Sequence, residues 1–145
     1  MKEKETIEHI TNWIKSYIYK SNLNGLTIGV SGGIDSALTS CLCAMTNLPV
    51  LCLEMPIYQD KKQVNRGKDH IRWLKNKFQN VSSIEINLTK TFDAFRDENQ
   101  KDQYFDNLAL ANTRSRIRMT SLYFHAQINN YLVVGTGNRI EDFGI

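Results

Sequence analysis

The sequence has few residues that would stiffen or cross-link a chain. Its 145 residues include only two prolines and three cysteines, and it has no internal repeat or low-complexity segment. Three cysteines cannot all pair within one chain, and Cys41, Cys43 and Cys52 fall in or beside apolar runs. We therefore expect buried thiols in a reducing compartment rather than a disulfide framework or a metal site.

Long apolar runs are also missing. No run approaches the 18 apolar residues of a membrane span, and the N-terminus lacks the apolar core of a secretory signal. Lys and Arg total 18 against 15 Asp and Glu, a formal net charge of +3, whereas nucleic-acid-binding domains usually carry a denser basic stripe. The sequence thus predicts a cytoplasmic protein with neither a membrane nor a nucleic-acid partner. Its length fits one domain over residues 1–145.

Hydrophobic periodicity predicts helices that alternate with strands. Helices are predicted over 3–20, 35–47, 61–79 and 107–128, with a short helix and a loop over 89–106. Strands are predicted over 26–30, 50–55, 84–88 and 131–134. This alternation predicts the α/β class, with a Rossmann-like open parallel sheet in three layers and helices on both faces. Ligands bind beyond the carboxyl ends of such strands, so the loops 31–36 and 135–142 are the candidate sites.

The first of these loops has the composition of a phosphate cradle. Residues 31–36 read Ser-Gly-Gly-Ile-Asp-Ser, between the first strand and a helix. Glycines let a phosphate approach the backbone N–H groups, and the N-terminus of the helix adds free N–H groups and positive potential. The lysine and spacing of a Walker A loop are missing. Asp35 would repel phosphate unless it holds a bridging Mg²⁺; the alternative is that Asp35 caps the helix in an ordinary turn.

Three segments together resemble a known family. The hexapeptide is similar to the SGGxDS signature of the PP-loop ATP pyrophosphatases. The segments Asn112–Met119 (NTRSRIRM) and Val133–Glu141 (VVGTGNRIE) resemble the N-x-x-x-R-x-R-M helix and the VGT-x-x-x-x-E loop of the ammonia-dependent NAD(+) synthetases. The resemblance implies a PP-loop fold, similar to the adenine nucleotide alpha hydrolases, in which the first and fourth strands are neighbours. It also implies a single ATP-binding domain that lacks the C-terminal part of the family.

The resemblance further implies roles for individual residues. Arg116 would contact deamido-NAD, and Asp35 and Glu141 would ligate Mg²⁺. The residues implied to bind ATP are Gly29, Val30, Ser31, Gly32, Gly33, Ile34, Asp35, Ser36 and Thr136. In the implied reaction, AMP passes from ATP to the carboxylate of deamido-NAD, and ammonia attacks the acyl-adenylate to give NAD(+), AMP and pyrophosphate. The catalytic residues, including a base that deprotonates ammonium, remain unassigned. A homodimer along helix 107–129 is implied as well.

Simpler alternatives apply to some of these residues. Helical spacing places Arg114 and Arg118 near each other and directs Arg116 away, so the run is also compatible with a solvated helix face. Glu141 is equally compatible with an exposed loop carboxylate. For the whole chain, two other functions compete. One is another PP-loop ATP pyrophosphatase, such as a tRNA-modifying enzyme; the other is a truncated, non-catalytic fragment that binds nucleotide or dimerises.

Overall fold

Strands and helices alternate along the chain and build one parallel sheet. The computed structural model describes residues 2–99 and 106–137. The helices are α1 (Glu3–Ser21), α2 (Ile34–Ala44), α3 (Lys61–Lys77), α4 (Thr89–Asn99) and α5 (Asn107–Asn129). The strands are β1 (Gly25–Gly29), β2 (Val50–Glu54), β3 (Val81–Glu85) and β4 (Tyr131–Val133). They lie in the order β3-β2-β1-β4, and every neighbouring pair is parallel.

Each helix and strand was predicted close to its position except the third strand. That prediction, residues 84–88, is wrong by three residues, since the strand is Val81–Glu85. The apolar alternation of Ile84, Ile86 and Leu88 continues past the strand because Ile86 and Leu88 pack into the core below the sheet. Their N–H groups still bond, at 2.8 and 3.0 Å, to carbonyls at and after the end of β2.

Apolar cores lie on both faces of the sheet. On one face, α1, α2 and α3 pack on the strands through residues such as Ile18, Cys43 and Leu74. On the other, α4 and α5 cover the end of β2 through Phe92 and Leu122. The strands β1 and β2 are buried along almost their whole length, as strands covered on both sides are. The predicted three-layer α/β architecture is therefore confirmed.

The sheet changes its winding direction next to β1. Leu26 of β1 is in register with Val50 of β2 on one side and with Leu132 of β4 on the other. The first and fourth strands are thus neighbours, as the family resemblance implied. The loops that leave them diverge at this edge, which is the position where open α/β sheets bind ligands.

Two expectations about the chain environment can be compared with the structure. Cys41, Cys43 and Cys52 are free thiols, the latter two fully buried and the first half-buried, in agreement with the prediction of unpaired cysteines in apolar surroundings. Among the described helices, not one combines the length and the apolarity needed to cross a bilayer.

Candidate functional site

A cleft of about 480 Å³ opens at the carboxyl ends of β1 and β4. Ser31 beyond β1, Gln59 beyond β2, Arg118 of α5 and Thr136 beyond β4 all line it. The volume lies within the range of small-molecule sites, and the location is the switch point of the sheet. The cleft is therefore the candidate site of chemistry.

The loop 31–36 is folded by its own two serines. The Oγ of Ser36 accepts the Ser31 N–H at 3.2 Å and donates to the Gly33 carbonyl at 3.0 Å. The Oγ of Ser31 accepts the Gly33 N–H at 3.3 Å and lies 3.2 Å from the Oγ of Ser36. Ser36 is only 3% exposed, and its hydroxyl forms its hydrogen bonds within the loop. These bonds hold the loop in a tight turn before any ligand arrives.

Gly32 is the residue that lets this turn lie against α3. Its φ of +84° is a conformation that side chains rarely adopt. A Cβ at this position would meet the carbonyl oxygen of Gln63 at 2.3 Å. The loop backbone therefore touches the backbone of α3 with no room for a side chain between them.

The helix α2 begins without a side-chain cap. Gly33 occupies the N-cap position in an extended conformation, and as a glycine it offers no side-chain cap bond. Asp35 lies in the first turn and is half-buried. The N-cap position thus belongs to Gly33 and not to Asp35. A carboxylate in the first turn is nevertheless favoured by the helix dipole.

The described residues offer one of the two predicted metal ligands. Asp35 lies in the loop 31–36, at the first turn of α2, whereas Glu141 lies outside the described residues. No group of three His, Cys, Asp or Glu side chains arranged to hold a metal occurs within 2–99 and 106–137. Mg²⁺ commonly takes one or two carboxylates from the protein and completes its shell with phosphates and water. The loop and Asp35 therefore fit a phosphate-bound ion rather than a closed protein cage.

The arginines of α5 divide as helical spacing predicts. Arg118 lines the cleft, is half-buried, and donates from Nε to the Met55 carbonyl at 2.9 Å. Burial, followed by the charge of nearby Arg114, lowers the pKa of Arg118. Arg116, the residue implied to contact deamido-NAD, is exposed and is not among the described residues that line the cleft. The sequence did not mark Arg118 as a site residue; the only indication was the helical spacing that places it on the same face as Arg114.

The segment beyond β4 reaches the cleft because its pairing with β1 continues. The Val134 N–H donates to the Thr27 carbonyl at 2.9 Å, one residue past the end of β4. Gly135 and Thr136 then line the cleft together with Gly29 and Val30. Gln59 and Gln63 also line it, and neither was marked by a motif. Their side chains become part of the site only because α3 packs against the loop.

A smaller cavity lies on the α3 side of the loop. Its volume is about 270 Å³, and its lining includes Gly32, Gly33, Ile34, Arg66 and His70. Three of the nine residues implied to bind ATP, Gly32, Gly33 and Ile34, thus line this cavity rather than the larger cleft. The loop forms the partition between the two spaces.

Comparisons with a family model and with individual known sequences point to the same family. A sequence model of the NAD synthase family matches residues 6–143. The NH(3)-dependent NAD(+) synthetase of Mesoplasma florum is 35% identical over 144 residues, which are 97% of this chain and 57% of that protein. The enzyme of the same description from Malacoplasma penetrans is 37% identical over 142 residues, 93% of this chain and 52% of that protein. The chain spans about half the length of these curated relatives.

Solved structures share the fold. An NMN synthetase from Francisella tularensis superposes with a TM-score of 0.87 at 29% identity, covering 97% of this chain and 57% of that one. An NH3-dependent NAD synthetase from Campylobacter jejuni gives a TM-score of 0.86 at 29% identity, covering 97% of this chain and 59% of that one.

Proposed function

Since this chain belongs to the NAD synthase family, we propose that it takes part in the ammonia-dependent formation of NAD(+) from deamido-NAD. ATP is the co-substrate, and AMP and pyrophosphate are the products. The observation that carries the proposal is that Ser31, the first residue of the loop 31–36, and Thr136 line one cleft at the switch point of the sheet. Residues 1–145 are proposed to act as a single ATP-binding domain.

ATP binding is assigned to the loop and the segment across from it. Backbone N–H groups of Gly32 and Gly33, together with the start of α2, receive the phosphates. The Ser31 hydroxyl is exposed at the cleft and can turn toward the ligand, whereas buried Ser36 keeps the loop folded. Thr136 approaches from the β4 side. Of the remaining residues implied to bind ATP, Gly29 ends β1, Val30 follows it, and Ile34 and Asp35 lie in the first turn of α2.

Mg²⁺ is proposed as the cofactor, held by Asp35 and by Glu141. When bound, it supplies positive charge that offsets the negative charge of the phosphates. The chain's own contribution is positional: the loop fixes the pyrophosphate, and α5 forms one side of the cleft. Holding two reactants in alignment is by itself a large part of the rate enhancement that such a site provides.

The acceptor is assigned to the α5 side of the cleft. Arg118, charged and half-buried beside Met55, supplies positive potential at this wall. Arg116 projects from an exposed part of α5, so its contact with deamido-NAD requires a substrate that extends beyond the cleft or a second subunit that covers the helix. A homodimer along α5 and a cytoplasmic location complete the proposal. Exposed Phe124 and Ile128 support the first, and the unpaired thiols support the second.

A nucleotide assay tests the function directly. The chain is incubated with ATP, Mg²⁺ and ammonium, with or without deamido-NAD, and AMP and NAD(+) are quantified by chromatography. We expect both products only when the acceptor is present. Asp35→Asn should abolish them and weaken ATP binding in calorimetry, because the substitution removes the carboxylate at the loop. Asp69→Asn, an exposed change on α3, is the control and should leave both readouts unchanged.

Nicotinate mononucleotide is the second acceptor to be included. A solved structure with the same fold is described as an NMN synthetase, so the mononucleotide is a specific competing substrate. Amide formation on the mononucleotide alone would assign the chain that activity instead. The absence of AMP with either acceptor would contradict the proposed ligase function.

A further inference from the structure

Two consecutive carbonyls of the loop 31–36 are held from outside by side chains of the α3 region. Gln59 donates from Nε2 to the Ser31 carbonyl at 3.1 Å, and Arg66 donates from Nε to the Gly32 carbonyl at 3.3 Å. We propose that Arg66 is a positioning residue for phosphate binding. It holds the Gly32–Gly33 peptide so that its oxygen faces away from the ligand. The inference rests on the proposed function, in which this loop receives the phosphates of ATP.

The hydrogen bond from Arg66 to the Gly32 carbonyl also sets the direction of the Gly33 N–H. In a trans peptide the C=O and the N–H are fixed in one plane and point in opposite directions. Because the Gly32 oxygen is directed to Arg66, the N–H of Gly33 faces the interior of the loop, where it bonds to the Ser31 hydroxyl at 3.3 Å. Rotation of this peptide by half a turn would replace a donor with an oxygen that repels phosphate.

The Gly-Gly sequence makes such a rotation easy. Glycine populates positive and negative φ about equally, so the peptide between two glycines has little intrinsic preference for one orientation. Within the loop, the Ser31 hydroxyl accepts the N–H of this peptide, and the contact to its carbonyl oxygen comes from elsewhere in the fold. Arg66 supplies it from a neighbouring helix, 34 residues farther along the chain.

The helix α3 is a suitable support for this bond. Asp60 caps it by accepting the N–H groups of Lys62 and Gln63, so the first turns of the helix are well defined. Gly67, the neighbour of Arg66, is buried, and a Cβ there would lie 3.6 Å from the N of Gly32. The backbone of α3 thus lies directly against the loop, and this packing fixes the position of the Arg66 backbone relative to the loop.

Calorimetric titration with inorganic pyrophosphate and Mg²⁺ tests this role. Arg66→Met keeps most of the aliphatic stem and removes the donor. We expect its dissociation constant for pyrophosphate to rise about fivefold, the usual effect of one hydrogen bond. Arg66→Lys restores a donor and should recover most of the affinity. Arg72→Met removes the same charge from an exposed position on α3 and should bind as the unmodified chain does.

Repetition at high salt separates orientation from simple attraction. Salt screens the long-range pull of a surface arginine on the anion, whereas the orientation of the peptide is independent of salt. The difference between Arg66→Met and the unmodified chain should therefore persist in 1 M NaCl, which shortens the screening length to roughly 3 Å. A loss that disappears in salt, or an equal loss in Arg72→Met, would overturn the positioning role. So would unchanged affinity in Arg66→Met. Failure of the unmodified chain to bind pyrophosphate would instead overturn the assignment of the loop itself.

Discussion

At the scale of single residues, the candidate site depends on one backbone position more than on any side chain. Gly32 combines a φ of +84° with a contact that leaves no space for a Cβ, since the Gln63 oxygen would be 2.3 Å away. Both restrictions arise because the loop must turn sharply and lie against α3 at the same point. A substitution at this residue therefore tests the geometry of the whole loop.

We predict that Gly32→Ala destabilises the protein and weakens ATP binding. The left-handed conformation costs an alanine roughly 1–2 kcal/mol, and displacement of the loop from α3 adds to this. We expect a fall in the free energy of unfolding of about 2–4 kcal/mol in urea titrations. Gly135→Ala is the control for stability, because an added Cβ there meets nothing within 4 Å. Equal stability of the two variants would show that the loop relaxes freely, contrary to the structure.

Residue-level predictions from sequence succeeded where a motif fixed the local backbone. The Ser-Gly-Gly-Ile-Asp-Ser pattern placed a sharp turn at the end of β1, and the structure has that turn. Arg118 was harder to find, because helical spacing paired it with Arg114 without revealing which of the two faces of α5 meets the cleft. No motif in the sequence marked Gln59 or Gln63 as a site residue. Their place in the site depends on how α3 packs, which is a tertiary property.

At the scale of helices and strands, the sequence predicted the type of each element better than its limits. Residues buried on both sides, as in β1 and β2, form short apolar runs whose ends are clear. β3 lies at the edge of the sheet, and its own residues are mostly exposed or half-buried. The more regular alternation lies just beyond it, in residues that cover the second core. Periodicity therefore detected the core contacts and not the hydrogen-bonded strand.

The packing of α2 on β2 also predicts a dependence of stability on pH. Cys43 of α2 and Cys52 of β2 lie in one apolar core, and burial raises the pKa of each thiol to about 12. In the unfolded chain a thiol ionises near pH 8.5. Between these values the unfolded state has lost protons that the folded state keeps. The free energy of unfolding therefore falls as pH rises above about 8.5.

Urea titrations between pH 7.5 and pH 10 measure this effect. Each buried thiol contributes a slope of up to about −1.4 kcal/mol per pH unit above the pKa of the unfolded thiol, and almost none below it. Cys52→Ala should reduce the slope while lowering stability at every pH through the lost packing. Cys41→Ala is a half-exposed comparison and should change the slope less. A slope in Cys52→Ala equal to that of the unmodified chain would contradict the assignment.

At the scale of the whole molecule, α5 links the cleft to a surface that none of the described residues covers. One side of the helix supplies Leu122 to the second core and Arg118 to the cleft. Another side exposes Phe124 and Ile128, which are 61% and 63% accessible and one helical turn apart. Adjacent exposed apolar side chains of this size are typical of protein–protein contacts. The proposed homodimer along α5 would bury them.

We predict that Phe124→Glu converts a dimer into a monomer without unfolding the chain. A charged side chain that must be buried without a partner opposes association, whereas in the isolated chain the position is already in water. Sedimentation equilibrium measures the mass, and circular dichroism verifies that the helices persist. Trp13→Glu introduces the same charge at a 62% exposed aromatic residue of α1 and should leave the dimer intact. A monomeric unmodified chain would refute the dimer, and dissociation by Trp13→Glu alone would move the interface to α1. Because Tyr123, which precedes Phe124, lines the cleft, loss of the dimer should also weaken binding of deamido-NAD more than binding of ATP.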